Sequence, residues 1–338
     1  MAKVSVVMTT YNGERYIIEQ LDSIRNQTRK PDEVLIFDDM STDSTFSIIE
    51  EYIRKYALYN WKVIENVENL GWKKNFVNAM KNATGDYVFL SDQDDIWMLN
   101  KIEDMTNVMI NNEGILLLAA NCEILYSQDV ISKKYPPFYS LKRKSFYLDK
   151  IWNNKGIVSW INNRLKEEKN DSGQVIKIEF DTGLFSAQRQ GCVMCMRQKL
   201  IKKALNYWNG ECPHDTVIWF YAAAHDGLYL YEKNVIKYRH HSSNVGFEDT
   251  LGSGLNANSE KEKIKSLSRQ IKSLLPILDD VIGAKEKKDV CKTIYEYLTL
   301  RYKFLEKKLI KDGVNVIKKK GNVGKRQVMF DWLLTYMT

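Results

Sequence analysis

Apolar and polar positions alternate in blocks along the first hundred residues, and the blocks switch period. Residues 4–8 form a short, mainly apolar β-rich run that stops at Thr9-Thr10-Tyr11-Asn12-Gly13, the pattern of a buried strand running into a turn. In 14–26, Ile17, Ile18, Leu21 and Ile24 recur at helical spacing. Residues 34–37 are a second apolar run closed by Asp38-Asp39, and 41–45 then supply N-cap side chains for a helix reaching Tyr56. Residues 61–64 predict a third strand, 72–81 a third helix, and 87–90 a fourth strand that ends in Asp92-Gln93-Asp94-Asp95. Strands that are apolar throughout, alternating with amphipathic helices, predict an α/β fold with a mostly parallel sheet covered on both faces. Ligands bind such sheets beyond the carboxyl ends of the strands. Here those ends carry Thr9, Tyr11, Asp38, Asp39 and the acidic run 92–95.

Periodicity weakens after the apolar segment 116–120. Residues 133–173 are polar and aromatic and read as loops and short helices; strand character returns at 175–180 and 192–196. A helix is predicted through 216–224 and a strand at 228–231. Gly, Ser and Asn concentrate in 245–259, which reads as a linker. Beyond it, 264–278 and 290–310 show helical apolar spacing. The chain is thus expected to divide into a catalytic or binding body over 1–247 (halves 1–120 and 121–247), a linker over 248–259 and a helical extension over 260–338.

Charge sharpens that division. The formal net charge is +7, but residues 1–250 sum to −2 and residues 251–338 to +9. A nucleic-acid binder carries its positive charge on the binding domain itself, so no nucleic-acid partner is expected. Five scattered cysteines argue against a disulfide framework and suit a reducing cytoplasm. Cys192 and Cys195 form an isolated C-x-x-C read as part of a buried strand, because no second pair is present to complete a zinc site. No apolar run approaches the roughly 18 residues needed to span a bilayer, and 4–8 is too short for a signal-peptide core. A cytoplasmic protein is expected.

The run 92–95 is the main chemical signal. Carboxylates this close repel one another unless a cation intervenes, and carboxylate oxygens suit Mg²⁺ or Mn²⁺ bridged to substrate phosphates. The bland alternative, open for an isolated D-x-D-D, is that Asp94 or Asp95 caps a helix over 96–109. Asp215 is open to the same alternative reading, as the cap of the helix that follows it.

Four ordered segments carry a resemblance. They are residues 4–12 (VSVVMTTYN), 37–43 (FDDMSTD), Asn69-Leu70-Gly71 with Asn75, and 85–97 (GDYVFLSDQDDIW). Together they resemble the inverting family 2 glycosyltransferases of the GT-A fold, a Rossmann-like mostly parallel central sheet flanked by helices. The Asp-Gln-Asp-Asp-Ile-Trp form is similar to the branch that includes bacterial rhamnosyltransferases and other enzymes of cell-surface polysaccharide synthesis. The likeness extends through Gln190-Gly191-Cys192, His214-Asp215 and 238–244, and no further than about 247. It implies a nucleotide pocket at Thr9, Tyr11 and Asp39, with Asp38 and Asn75 beside it. It implies a metal, Mn²⁺ or Mg²⁺, at Asp94 with Asp92 nearer the ribose and Asp95 assisting, and His241 reaching metal or diphosphate. Arg239 is placed on phosphate and Asp215 as the catalytic base. Family members often carry tryptophans just after that Asp; this chain has Thr216-Val217-Ile218-Trp219, so a different acceptor pocket is expected. Lys73 and Lys74 are further phosphate candidates or a solvated pair.

The expected donor is a nucleoside-diphosphate sugar, dTDP-rhamnose first and a UDP-hexose next, and the acceptor a glycan hydroxyl, lipid-linked in one reading. The basic extension interleaves Lys with apolar residues, including Phe330, Trp332 and Leu333. It leaves open peripheral contact with an anionic membrane at the inner face of the plasma membrane, packing on the body, or a homodimer contact. A non-catalytic nucleotide-sugar or glycan-binding module would be expected to lose one of the carboxylates. A nucleotidyltransferase would carry a Gly-rich basic loop after the first strand, where Thr10-Tyr11-Asn12-Gly13-Glu14 stands instead.

Overall fold

The apolar runs become strands of a single sheet. A computed structural model describes residues 2–127, 171–241, 257–279, 281–307 and position 315 of the 338. The aromatic stretch from 133 to 170, most of the predicted linker and the tail residues Phe330, Trp332 and Leu333 lie outside the described residues.

The first half alternates as the hydrophobic pattern predicts: β1 (Val4–Thr10), α1 (Ile17–Arg25), β2 (Glu33–Asp38), α2 (Thr45–Lys55), β3 (Trp61–Glu65), α3 (Trp72–Asn82) and β4 (Tyr87–Ser91). Each of the β1 and β4 residues is buried, as strands sandwiched between helix layers must be. β1 lies between β2 and β4 and is parallel to both, and β3 is parallel to β2. Close backbone packing sets the edge of this unit: a methyl group on Gly85 would stand 2.7 Å from the Ser5 amide nitrogen.

The second half is mixed. It comprises β5 (Ile96–Trp97), α4 (Lys101–Asn111), β6 (Leu117–Tyr126), β7 (Val175–Lys177), β8 (Met194–Arg197), α5 (Gln198–Ala204), α6 (His214–Ala224) and β9 (Leu228–His240). The order across the sheet is β3-β2-β1-β4-β8-β6-β9-β5, with β7 on β9. β8 is antiparallel to both β4 and β6, while β6 and β9 are parallel. Strands β1, β2, β3, β4, β6 and β9 therefore share one direction and β5, β7 and β8 oppose it. The central sheet flanked by helices is the expected architecture, with an antiparallel strand inserted at its middle.

Several expected boundaries shift. The segment 96–109 opens with the short strand β5 before α4 begins, and 175–180 contributes only three strand residues. Cys192 belongs to a 3₁₀ turn, Gly191–Val193, that precedes β8. Cys195 lies in the strand; both thiols are buried and unpaired. β9 continues well past Tyr231 to His240, which delivers Arg239 and His241 to the sheet edge where β4 ends.

Two helices follow, α7 (Ala257–Leu274) and α8 (Ala284–Lys307), joined through the 3₁₀ turn Leu275–Leu278. Their apolar faces (Ile264, Ile271, Leu274, Ile294, Leu298) are continuous with the core that contains α6 and β4. Polar contacts reinforce this: Lys287 donates to the Ala224 carbonyl at 2.6 Å and pairs with Asp226 at 3.0 Å. The described part of the extension packs on the body. No helix among the described residues is long and apolar enough to cross a membrane.

Candidate active site

The carboxyl ends of β1, β2 and β4, the end of β9 and the first turn of α6 meet at one edge of the sheet. On the β1–β2 side, the two adjacent aspartates do different things. Asp38 is fully buried and accepts from Thr10 Oγ1 (2.6 Å), the Ser41 amide (2.8 Å) and Ser41 Oγ (2.7 Å); it pins the turn after β2. Asp39 receives Asn66 Nδ2 and the Leu70 amide on Oδ1 and the Gly71 amide on Oδ2, each at 2.8 Å. Asn75 closes this network by donating to the Phe37 carbonyl (3.0 Å) while accepting from Asn66 (3.0 Å). The loop 69–71, which ends at Gly71 with φ 74°, is thereby lashed to β2 and fixes the start of α3, where Lys73 lies 5.7 Å from the Trp72 ring centre.

Thr9 is buried at the end of β1, and Tyr11 is 47% exposed beyond it. The Gln93 side chain clamps the Tyr11 backbone from both sides, accepting its amide (2.8 Å) and donating to its carbonyl (3.0 Å). Gln93 was invisible as a functional residue in the sequence; it ties the exposed tyrosine to the acidic loop.

The acidic loop is held by β9. Arg239 donates its amide to Asp95 Oδ1 (2.9 Å), Nε to the Asp94 carbonyl (2.7 Å) and Nη2 to Glu19 (2.9 Å), with its guanidinium 4.6 Å from the Tyr16 ring. His241 Nε2 lies 2.8 Å from Asp94 Oδ2, both residues being buried, and the His241 ring rests 4.9 Å from Tyr16. The distant Arg239 and His241 are thus brought onto the 92–95 loop. Glu19 and Tyr16, which complete the cradle, carried no signal beyond their place on and before α1.

Below the loop sits an ionisable group in which Asp95 and Lys101 are buried and Asp92 is half-buried. Burial, first, and then the charge of Asp94 push the Asp92 carboxyl up to about 7, Asp215 adding to the effect while Cys192 and Lys101 oppose it. Asp95 is driven well above the usual carboxylate range by burial and by Asp92 and Asp94. Lys101, at the start of α4, is buried with Nζ 2.6 Å from the Cys192 carbonyl and 3.4 Å from the Trp97 ring centre. Burial lowers its ammonium to about 7.

On the far side, Asp215 occupies the first turn of α6, where its Oδ1 accepts the Thr216 amide (2.8 Å). A methyl group on Gly191 would stand 3.6 Å from both Asp215 Cβ and His214 Nε2, so the 3₁₀ turn is packed against the helix start. His214 is buried, its ring 4.6 Å from Phe76, and burial holds its pKa below the ordinary value. The expected residues fall into two connected groups. Thr9, Tyr11, Asp38, Asp39 and Asn75 line the β1–β2 end; Asp92, Asp94, Arg239, His241 and Asp215 surround the end of β4.

An α/β sheet of this order, with carboxylates, an imidazole and a guanidinium gathered at the strand ends, defines a GT-A-type glycosyltransferase. The chain belongs to glycosyl transferase family 2, whose sequence profile matches residues 5–191. Among similar proteins is the dTDP-rhamnosyl transferase RfbG of Shigella flexneri, 30% identical over 70% of this chain and 72% of that protein. Another is an Escherichia coli UDP-Glc:alpha-D-GlcNAc-diphosphoundecaprenol beta-1,3-glucosyltransferase, WfgD, 31% identical over 40% of this chain and 51% of its own length. The fold is shared with S. aureus TarS residues 1–349 in complex with UDP-GlcNAc (TM-score 0.59, 16% identity, 95% of this chain and 80% of that one). It is also shared with the Pyrobaculum calidifontis mannosyltransferase PcManGT in complex with GDP-Man and Mn²⁺ (TM-score 0.56, 14% identity, 99% and 81%).

Proposed function

We propose that this glycosyltransferase moves a sugar, with inversion, from a nucleoside-diphosphate sugar to a glycan hydroxyl in bacterial surface-polysaccharide synthesis, with dTDP-rhamnose as first donor and UDP-hexoses next. The observation that carries this reading is the convergence of Asp92, Asp94, His241 and Arg239 at the end of β4 with Asp215 in the first turn of α6. The similarity to RfbG over most of both chains supports the choice of donor.

The residues present suit a divalent cation. Asp94 Oδ2 and His241 Nε2 already converge at 2.8 Å, and the charge of Asp94 helps raise the Asp92 carboxyl. Oxygen and imidazole ligands of this kind accept Mn²⁺ or Mg²⁺, and such an ion would neutralise charge on the departing diphosphate. Asp94, Asp92 and His241 would hold it. Thr9, Tyr11 and Asp39, with Asp38 and Asn75 bracing them, receive the nucleoside; Arg239 fixes the acidic loop and faces the diphosphate. Asp215 takes the proton from the acceptor hydroxyl as that oxygen attacks the anomeric carbon opposite the leaving group, a role worth on the order of 10²–10⁴ in rate. The acceptor is read as lipid-linked, as the name of WfgD describes for that enzyme. The basic extension would then bring the protein to the cytoplasmic face of an anionic membrane, with a homodimer through its helices as the remaining partner reading.

The test is incubation of the purified protein with Mn²⁺ and a panel of dTDP-rhamnose, UDP-glucose, UDP-GlcNAc and GDP-mannose, following release of nucleoside diphosphate. Release that is greatest with dTDP-rhamnose and stopped by EDTA supports the proposal. Release from none of the donors, with or without glycan acceptors, overturns it.

A further inference from the structure

Under the acidic loop, one carboxylate oxygen each from Asp92 and Asp95 and the Cys192 sulfur lie within 4.8 Å of one another. Two segments place them: the loop 92–95 between β4 and β5, and the 3₁₀ turn before β8. The Asp95 side chain is fully buried; its Oδ1 takes the Arg239 amide, and its Oδ2 has no hydrogen-bond partner among the described residues. A buried carboxylate oxygen without a well-formed hydrogen bond is costly; the Cys192 thiol is the neighbour that acts on this carboxyl, and a cation shared with that sulfur would satisfy both groups. Asp94 stands outside this trio, with its Oδ2 on His241.

The geometry points to a second cation site, made by Asp92, Asp95 and Cys192, that is selective for thiophilic divalent ions such as Zn²⁺, Cd²⁺ or Co²⁺. Two oxygens and one sulfur fit these ions better than the harder Mg²⁺ or Mn²⁺, which gain little from a thiol. With metal–ligand distances of about 2.0–2.3 Å, ligand atoms around a tetrahedral ion stand roughly 3.5 Å apart. Closing the observed spacing therefore asks for less than about 1 Å of movement from each side chain. Binding replaces the thiol proton: the Cys192 S–H bond breaks, a sulfur–metal bond forms from the same electron pair, and the proton leaves to solvent. Because Asp92 is shared with the proposed donor site, an ion held here competes with productive donor binding.

The experiment is titration of the full-length protein with Co²⁺ alone, read by the near-ultraviolet sulfur-to-cobalt charge-transfer band, with Cd²⁺ affinity measured by calorimetry. A band that appears in the wild type, survives in Cys195→Ser and disappears in Cys192→Ser, with Cd²⁺ bound at least about tenfold more weakly by that variant, supports the site. Asp95→Asn keeps the sulfur and is expected to weaken Cd²⁺ binding by a similar factor. Absence of the band in the wild type, or its persistence in Cys192→Ser, overturns the inference, whichever sugar donor the enzyme uses. The wild-type reading does not depend on any variant folding.

Discussion

Asp39 offers a test in which stability and donor binding can be separated. In Asp39→Asn one oxygen remains to serve Asn66 Nδ2 and the Leu70 amide, but the new amide nitrogen confronts the Gly71 N–H that Oδ2 accepts at 2.8 Å. The variant loses one charge-assisted hydrogen bond, while the exposed Gly71 amide keeps its 3.2 Å contact to Asn69 Oδ1, a cost of about 1.5–3 kcal/mol. At about 2–4 °C per kcal/mol for a domain of this size, Tm should drop by roughly 5–10 °C. Asp39→Ala removes all three acceptor contacts and should cost about twice as much. Asp39 is itself one of the proposed nucleoside contacts, so KM for the donor should rise about tenfold, equivalent to about 1.4 kcal/mol, while kcat changes little. Differential scanning calorimetry and steady-state kinetics with varied donor provide the two readouts. A variant melting within 1 °C of the wild type would refute the bracing role; unchanged KM with lowered Tm would leave Asp39 as a brace and remove it from the nucleoside pocket.

Two further outcomes follow from burial. Burial lowers the His214 pKa below its ordinary value, so the unfolded chain binds a proton there more readily than the folded one; stability is therefore full above about pH 6.5 and falls as pH drops below it, by at most about 1.4 kcal/mol per pH unit. His214→Phe, keeping the ring against Phe76, should flatten that part of the urea-melt profile between pH 7.5 and 5.5, and an unchanged slope would contradict the assignment. Gly85→Ala would push a methyl to 2.7 Å from the Ser5 amide nitrogen and 3.0 Å from the Val4 carbonyl carbon, where backbone cannot yield; a loss of about 1–3 kcal/mol is expected, and wild-type stability would show that β1 and β4 are less tightly joined.

What the sequence revealed and what it concealed divide along range of interaction. β1 to β4 and their helices were legible because each is a local apolar period ended by a polar residue, and their parallel order follows from the crossovers. The antiparallel β8 between β4 and β6 was not, since a four-residue strand, Met194–Arg197, does not announce its neighbours. β9 is predicted only to Tyr231, because beyond it polar residues outnumber apolar ones on a strand that is half-buried and shared between sheet and site. In the site, Asp38 and Asp39 read alike in sequence, yet one spends its oxygens on Thr10 and Ser41 and the other on the loop after β3. Lys101 gave no signal: a lysine at a helix start is ordinarily solvated, and only the fold places its ammonium against Trp97 and the Cys192 carbonyl. The near-neutral body and basic tail remain distinct in charge, but the described helices of the tail share the body's core through Ile271, Leu274 and Ile294.

The central claim is that Asp215 acts as the base in glycosyl transfer, and Asp215→Asn tests it directly. The substitution keeps the side-chain oxygen that accepts the Thr216 amide at 2.8 Å, so the first turn of α6 should persist. The measurement is the single-turnover rate of sugar transfer to acceptor, paired with calorimetric donor affinity on the same sample. The account predicts a rate reduced by about 10²–10⁴ with donor affinity within about threefold of the wild type. Transfer at the wild-type rate, with donor bound equally well, would contradict it.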